Sequence, residues 1–283
     1  AGDLVASRLP IDDTPRERLH DDGLMVTTRS PEAVEEILWM RFFDFLHDEQ
    51  RSNVLDADTR NPAFERFYRE HLRKLIYVRG RRRYLTKANH ITGRLQYVLR
   101  LFSDARFVMP VRHPVNQIAS FVKQDRLIQR KHAEDHAMRE LSQMMGHFEF
   151  GPDKLCLNLD DTAAVGRIRG LWESGRAVEG WSVYWNQVYS YILRRFEEAP
   201  ALARACLIVR FEDLCRDSGR VIDRILEHCS LSPDGFASVR QHYIDALHEP
   251  TYYQPSFDHR ELGLIEEITR ETAGRLGYRD YPG

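Results

Sequence analysis

The chain has 283 residues, enough for one large domain or for a domain carrying a subdomain. Its formal charge of −2 and pI near 6.7 exclude a global basic field of the kind that holds nucleic acid. A hydrophobic fraction of 42% can fill a core, while no run approaches the ~18 apolar residues of a membrane-spanning helix. No signal peptide is visible, and the first residue is Ala1 and not Met, which leaves room for sequence upstream. The four cysteines, Cys156, Cys206, Cys215 and Cys229, show neither a CxxC nor a metal-binding spacing, so reduced thiols of a cytoplasmic protein are expected.

Residues 1–29 are polar and loop-like, broken by Pro10 and Pro15. Ser30, Pro31 and Glu32 then supply a cap, an N1 proline and a first-turn acid. The expected helix carries Val34, Ile37, Leu38, Met40, Phe42, Phe43 and Leu46 at helical period, with Glu32, Glu35 and Glu36 complementing its dipole. A second helix is expected over 61–79, ending at Gly80, with the basic run through Arg83 as a solvated turn. Arg83 to Thr86 reads as a strand, followed by a tight loop through Lys87 and His90 and a helix from Ile91 to Phe102.

The run 106–111 is apolar enough for a buried strand, and Pro114 opens a helix through Val115, Ile118, Ala119 and Val122. Strand, helix, strand predicts a right-handed βαβ unit. Lys87, His90 and Arg112 would then lie at carboxyl ends of neighbouring strands. There, backbone N–H groups and the helix dipole favour anions. Ser120, eight residues after Arg112, adds a hydroxyl in the second helical turn.

From 126 to 172 the chain is strongly polar and reads as helical. His132 and His136 stand four apart, but no H-E-x-x-H is formed, and Lys131, Glu134 and Arg139 suggest an exposed face, so no metal is expected. An aromatic helix follows from Gly180 to Phe196, then a buried strand over 205–210 running into Phe211, and a terminal helix through Glu261 and Leu276.

Several of these segments, within residues 20–50, 80–125 and 180–230, resemble the sulfotransferases that use 3′-phosphoadenosine 5′-phosphosulfate (PAPS). Val111-Arg112-His113-Pro114 with Ser120 is similar to that family's 3′-phosphate motif, although His113 stands where Asp is usual. Lys87-Ala88-Asn89-His90 is similar to its K-x-x-H pattern, and Leu101-Phe102-Ser103-Asp104-Ala105-Arg106-Phe107 to its L-F-P-D-A-R-F link. Val209-Arg210-Phe211-Glu212-Asp213-Leu214 resembles its V-R-Y-E-D-L segment, with Phe211 in place of a tyrosine that contacts adenine in some relatives. The stretch from Ser30 to Glu36 resembles one lying near the acceptor pocket in long bacterial members, which admits a catalytic role for Glu35 or Glu36.

The resemblance implies an α/β fold of three layers: a P-loop-kinase-like parallel sheet with helices on both faces, plus a helical insertion. It implies one domain over 1–283, with 126–180 as a lid or acceptor subdomain. It also implies an enzyme that moves a sulfuryl group from PAPS to a hydroxyl of a small-molecule, lipid or carbohydrate acceptor. Lys87 would stabilise the leaving phosphate, His90 would be the base, and Arg112, Ser120 and Phe211 would bind the donor nucleotide. No metal is needed, because protein cations can meet the charge where it develops. Two of the family's features have no counterpart: the 5′-phosphosulfate loop P-R-S-G-T-T and the Arg-Lys-Gly triplet of cytosolic animal members. Thr28-Arg29-Ser30 is a faint echo of the loop, and the loop is expected upstream of Ala1; without it the chain would hold PAPS poorly. The alternatives are an inactive sulfotransferase-like protein that binds a nucleotide or partner, and a kinase-like phosphotransferase. The chain's features admit a homodimer.

Overall fold

A computed structural model describes residues 14–17, 25–27, 35–249 and 255–281 of the chain. The expected helix start at Ser30, Pro31 and Glu32 lies outside the described residues. Two short strands, β1 (Arg16–Glu17) and β2 (Met25–Val26), pair antiparallel. Helix α1 (Glu36–Phe42) is shorter than the apolar stripe predicts, because Phe43 turns to extended backbone and the chain continues as turns. The buried set therefore becomes Trp39, Phe43 and Leu46, while Ile37 is exposed.

Helix α2 (Pro62–Val78) forms as predicted. Asn61 caps it by accepting the Phe64 N–H at 3.0 Å, and Gly80 ends it with φ +57, a left-handed conformation that only glycine adopts freely. Trp39, Phe64, Tyr68 and Tyr97 form the centre of one core with these two helices.

The strand expected at 83–86 does not form. Leu85 is 93% exposed, with no apolar surface to cover, and its neighbours are drawn to different elements. Arg83 donates to the carbonyls of Cys229 and Ser230, and the Tyr84 hydroxyl donates to Glu35. Arg83 is therefore tethered and not simply solvated. A 3₁₀ turn (His90–Arg94) leads instead into α3 (Leu95–Leu101).

Strand β3 (Phe107–Val111) pairs with β4 (Cys206–Arg210) in parallel, in register from Phe107↔Cys206 to Val111↔Arg210. Pro110 lacks an N–H, which a strand tolerates at an edge. The crossover runs through α4 (Pro114–Glu134), α5 (His136–Met144), α6 (Thr162–Glu173), α7 (Ala177–Glu198) and α8 (Pro200–Ala205). After β4 come α9 (Phe211–Arg216), α10 (Ser218–His228), α11 (Ala237–Ala246) and α12 (His259–Arg275). The fold is thus mixed α/β, with a two-stranded parallel sheet among the described residues. Helix α7 is its axis, packed on α4, α6 and α12. Its aromatic stripe is core as predicted: Trp181 and Trp185 are buried with Val111, Ile118 and Ile265. Burying side chains such as Ile118 contributes about 1.5–3 kcal/mol each.

Residues 145–161 depart from the helical reading of this region. Gly146 (φ +76) and Gly151 (φ +94) break the helix, and the chain between α5 and α6 runs inward as a buried irregular segment. A side chain at Gly146 would meet the Glu36 Cγ at 2.6 Å, so glycine is required for this close approach. His132 is buried and not on an exposed face; its Nε2 lies 3.2 Å from the Ser142 hydroxyl.

Candidate functional site

His90 opens the 3₁₀ turn and is 7% exposed. Its Nε2 lies 3.3 Å from the Gly146 carbonyl and 3.7 Å from Glu149 Oε1, and the ring of His47 meets it edge-on at 4.9 Å. Since the carbonyl can only accept, Nε2 carries the proton and Nδ1 the lone pair. Four residues on, Arg94 reaches back over the Trp39 ring and donates to both oxygens of Glu36 at 2.8 and 2.7 Å. His47 Nε2 stands 2.8 Å from the same carboxylate.

The charges follow from these contacts. Burial opposes the charge of Glu36, yet the His47 hydrogen bond and the Arg94 guanidinium outweigh it and hold the carboxyl far below the usual carboxylate range. Glu149 behaves alike: burial is outweighed by the His147 hydrogen bond, the His90 charge and the Asn89 amide, bringing it to about 2. For His90, burial dominates and pushes the imidazole below its usual 6.5, despite Glu149 and Glu36 nearby. It is neutral at pH 7, the state a general base requires.

Glu35 is buried and accepts hydrogen bonds from the hydroxyls of Tyr68 and Tyr84. Both phenols are pushed up, first by burial and then by this carboxylate. With Arg94 and His47 on its two oxygens, Glu36 is already engaged. Lys87 is exposed on the irregular chain three residues before His90.

The second group stands at the carboxyl end of β3. Arg112 is half-buried, its Nε has no hydrogen-bond partner among the described residues, and its guanidinium lies 5.1 Å from the centre of the Phe211 ring. Phe211 is placed there because α9 begins directly after β4, whose last residue pairs with Val111. Glu212 occupies the start of α4: it accepts the His113 N–H at 2.9 Å and the Tyr278 hydroxyl at 2.7 Å. His113 packs against Tyr278 and Tyr281 and donates from Nε2 to the Asp280 carbonyl at 2.9 Å. Burial lowers its pKa, so it too is neutral near pH 7. Ser120 is half-buried in the second turn of α4.

The structure thus brings Arg112 onto Phe211 and leaves Lys87 exposed beside His90. Among the described residues, no hydrogen bond, ion pair or ring contact joins Lys87 or His90 to Arg112, Ser120 or Phe211. Sequence reasoning missed His47, Arg94, Glu149, Glu212 and Tyr278. Arg94 was findable, being one helical turn after His90. Glu212 lies inside a segment already singled out, while Glu149 carries no local signal.

A family model described as "Sulfotransferase family" matches residues 6–160, more than half of the chain. The match takes in Lys87, His90, Arg112 and Ser120. No curated protein and no solved structure matches the chain.

Proposed function

The chain belongs to the sulfotransferase family, and from that premise we propose that it moves a sulfuryl group from PAPS to a hydroxyl of a small-molecule, lipid or carbohydrate acceptor. The observation that carries this reading is Arg112. A guanidinium whose buried Nε lacks a partner, at a strand's carboxyl end beside a proline-opened helix, suits a phosphate of the donor. Ser120 would add a hydroxyl to the same phosphate, and Phe211 would offer its ring to the adenine. A three-layer parallel sheet belongs to this reading, and the parallel pair of β3 and β4 is in keeping with it. The free cysteines fit the cytoplasmic location expected from the sequence.

In the transfer, the acceptor oxygen forms a bond to sulfur as the bond from sulfur to the bridging phosphate oxygen breaks. His90 takes the acceptor's proton on Nδ1, a contribution of about 10²–10⁴-fold. Lys87, free to move on an exposed segment, meets the negative charge that builds on the departing oxygen. Neutral His90 is suited to its part because Gly146 holds its other nitrogen.

One observation favours a second reading. Glu212 already takes the His113 N–H at the start of α4, a donor that an incoming phosphate would use. A carboxylate there opposes a phosphate, which supports a sulfotransferase-like protein that binds a partner without turnover. Incubation with radiolabelled PAPS and a panel of phenols, sterols and sugars separates the two. Label transfer that is lost in His90→Asn supports the enzyme. Absence of both PAPS binding and transfer to any acceptor class supports the second reading.

A further inference from the structure

We propose that Glu149 is the positioning residue for His90: from the segment after Gly146 it faces the imidazole edge and, with the Gly146 carbonyl, keeps the proton on Nε2 and the lone pair on Nδ1. This rests on the reading of His90 as the base. Four charged or titratable groups face that ring. Glu36 and Arg94 are joined by two hydrogen bonds and largely cancel, and His47 is committed to the same Glu36. Glu149 is the remaining one. No arginine or lysine engages it among the described residues, and its charge is set against His90 at 3.7 Å and His147 at 3.6 Å.

The carboxylate is also aimed. The Asn89 amide, immediately before His90, donates to Glu149 Oε1, the oxygen that faces His90. Gly146 supplies the carbonyl from the same loop and, through its left-handed backbone, lies flush against Glu36. One short stretch of chain thus provides both groups on the Nε2 side. When His90 takes the acceptor's proton, the imidazolium forms beside a fixed negative charge instead of in a purely apolar setting. The proton goes onto Nδ1, and Glu149 stays ionised throughout. The pairing also couples the base to the segment between α5 and α6, so that a rearrangement there would alter the chemistry as well as acceptor access.

The test is nitrogen NMR of the His90 imidazole across pH in the parent chain, Glu149→Gln and Glu149→Asp. Nδ1 of the parent should show the shift of an unprotonated nitrogen. The His90 midpoint should fall by about one pH unit or more in Glu149→Gln and recover in part in Glu149→Asp. In turnover, Glu149→Gln should lower kcat about tenfold or more with KM unchanged, and the acid limb of the pH profile should move with the NMR midpoint. Asn89→Ala, at an exposed position, should move the midpoint the same way by a smaller amount, which keeps the test usable if Glu149→Gln folds badly. An unchanged midpoint and tautomer in both variants would overturn the proposal. A shifted midpoint together with undiminished turnover in His90→Asn would uphold the pair and overturn the base reading instead.

Discussion

The two halves of the candidate site are built in opposite ways. Around His90 the charged groups are paired within the chain: Arg94 and His47 with Glu36, and Asn89 and His147 with Glu149. Around Arg112 the guanidinium rests on the Phe211 ring, has no acidic partner among the described residues, and keeps a buried Nε unsatisfied, as Arg94 also does. A network satisfied from within is rigid and sets protonation states before any ligand arrives. A buried donor left open is a cost that an incoming anion removes. The first arrangement suits chemistry and the second suits binding, and substitutions in the two should fail differently.

The largest effect is expected at His90, the proposed base. His90→Asn should lower kcat about 10²–10⁴-fold while leaving PAP (3′-phosphoadenosine 5′-phosphate, the spent donor) binding intact, as steady-state kinetics and calorimetry would show. A loss of nucleotide affinity instead would erase the distinction between the halves. Arg94→Ala should act on folding, because it leaves the half-buried Glu36 carboxylate with His47 as its remaining side-chain partner. Breaking a fully buried pair costs about 3–5 kcal/mol, which sets the upper bound to be read from the denaturant midpoint. Removing the Asn61 cap with Asn61→Ala is expected to cost about 1–2 kcal/mol, since it removes the α2 cap and the hydrogen bond to the Phe42 carbonyl at the end of α1.

Acid should strip stability in two stages. His90 and His132 are both held below the usual 6.5 by burial, so the unfolded chain takes up protons first as pH falls through that value. Their contribution is complete above about 6.5 and declines below it. Glu36 and Glu149 are held below the usual 4.5, so theirs persists at mildly acidic pH and declines only as pH falls through about 4.5. Thermal unfolding across pH 3–8 would resolve the two declines, and Glu149→Gln should shrink the second.

The elements that were legible in the sequence are those whose pattern is local. Asn61 and Gly80 bracket α2, Pro114 opens α4, and the apolar runs 107–111 and 206–210 are strands. The strand at 83–86 was misjudged because alternation and length do not reveal partners. Arg83 and Tyr84 are claimed by α10 and by Glu35, far away in sequence. The same limit hid Trp39 and Glu149. Trp39 is core because Phe64, Tyr68 and Tyr97 pack on it from α2 and α3, and Glu149 lies in a segment that Gly146 and Gly151 turn at left-handed backbone. His90, Arg112 and Phe211 were singled out by motif spacing, while the groups that surround them come from residues with no motif of their own.

The central claim is that Arg112 marks the donor's phosphate site in a sulfotransferase. Calorimetric titration of PAP into the parent chain and into Arg112→Ala addresses it most directly. The account predicts saturable binding by the parent and affinity about 10–100-fold weaker in the variant, the worth of one charge-assisted hydrogen-bonding group. Equal affinity in the two, or no binding by the parent, would contradict it.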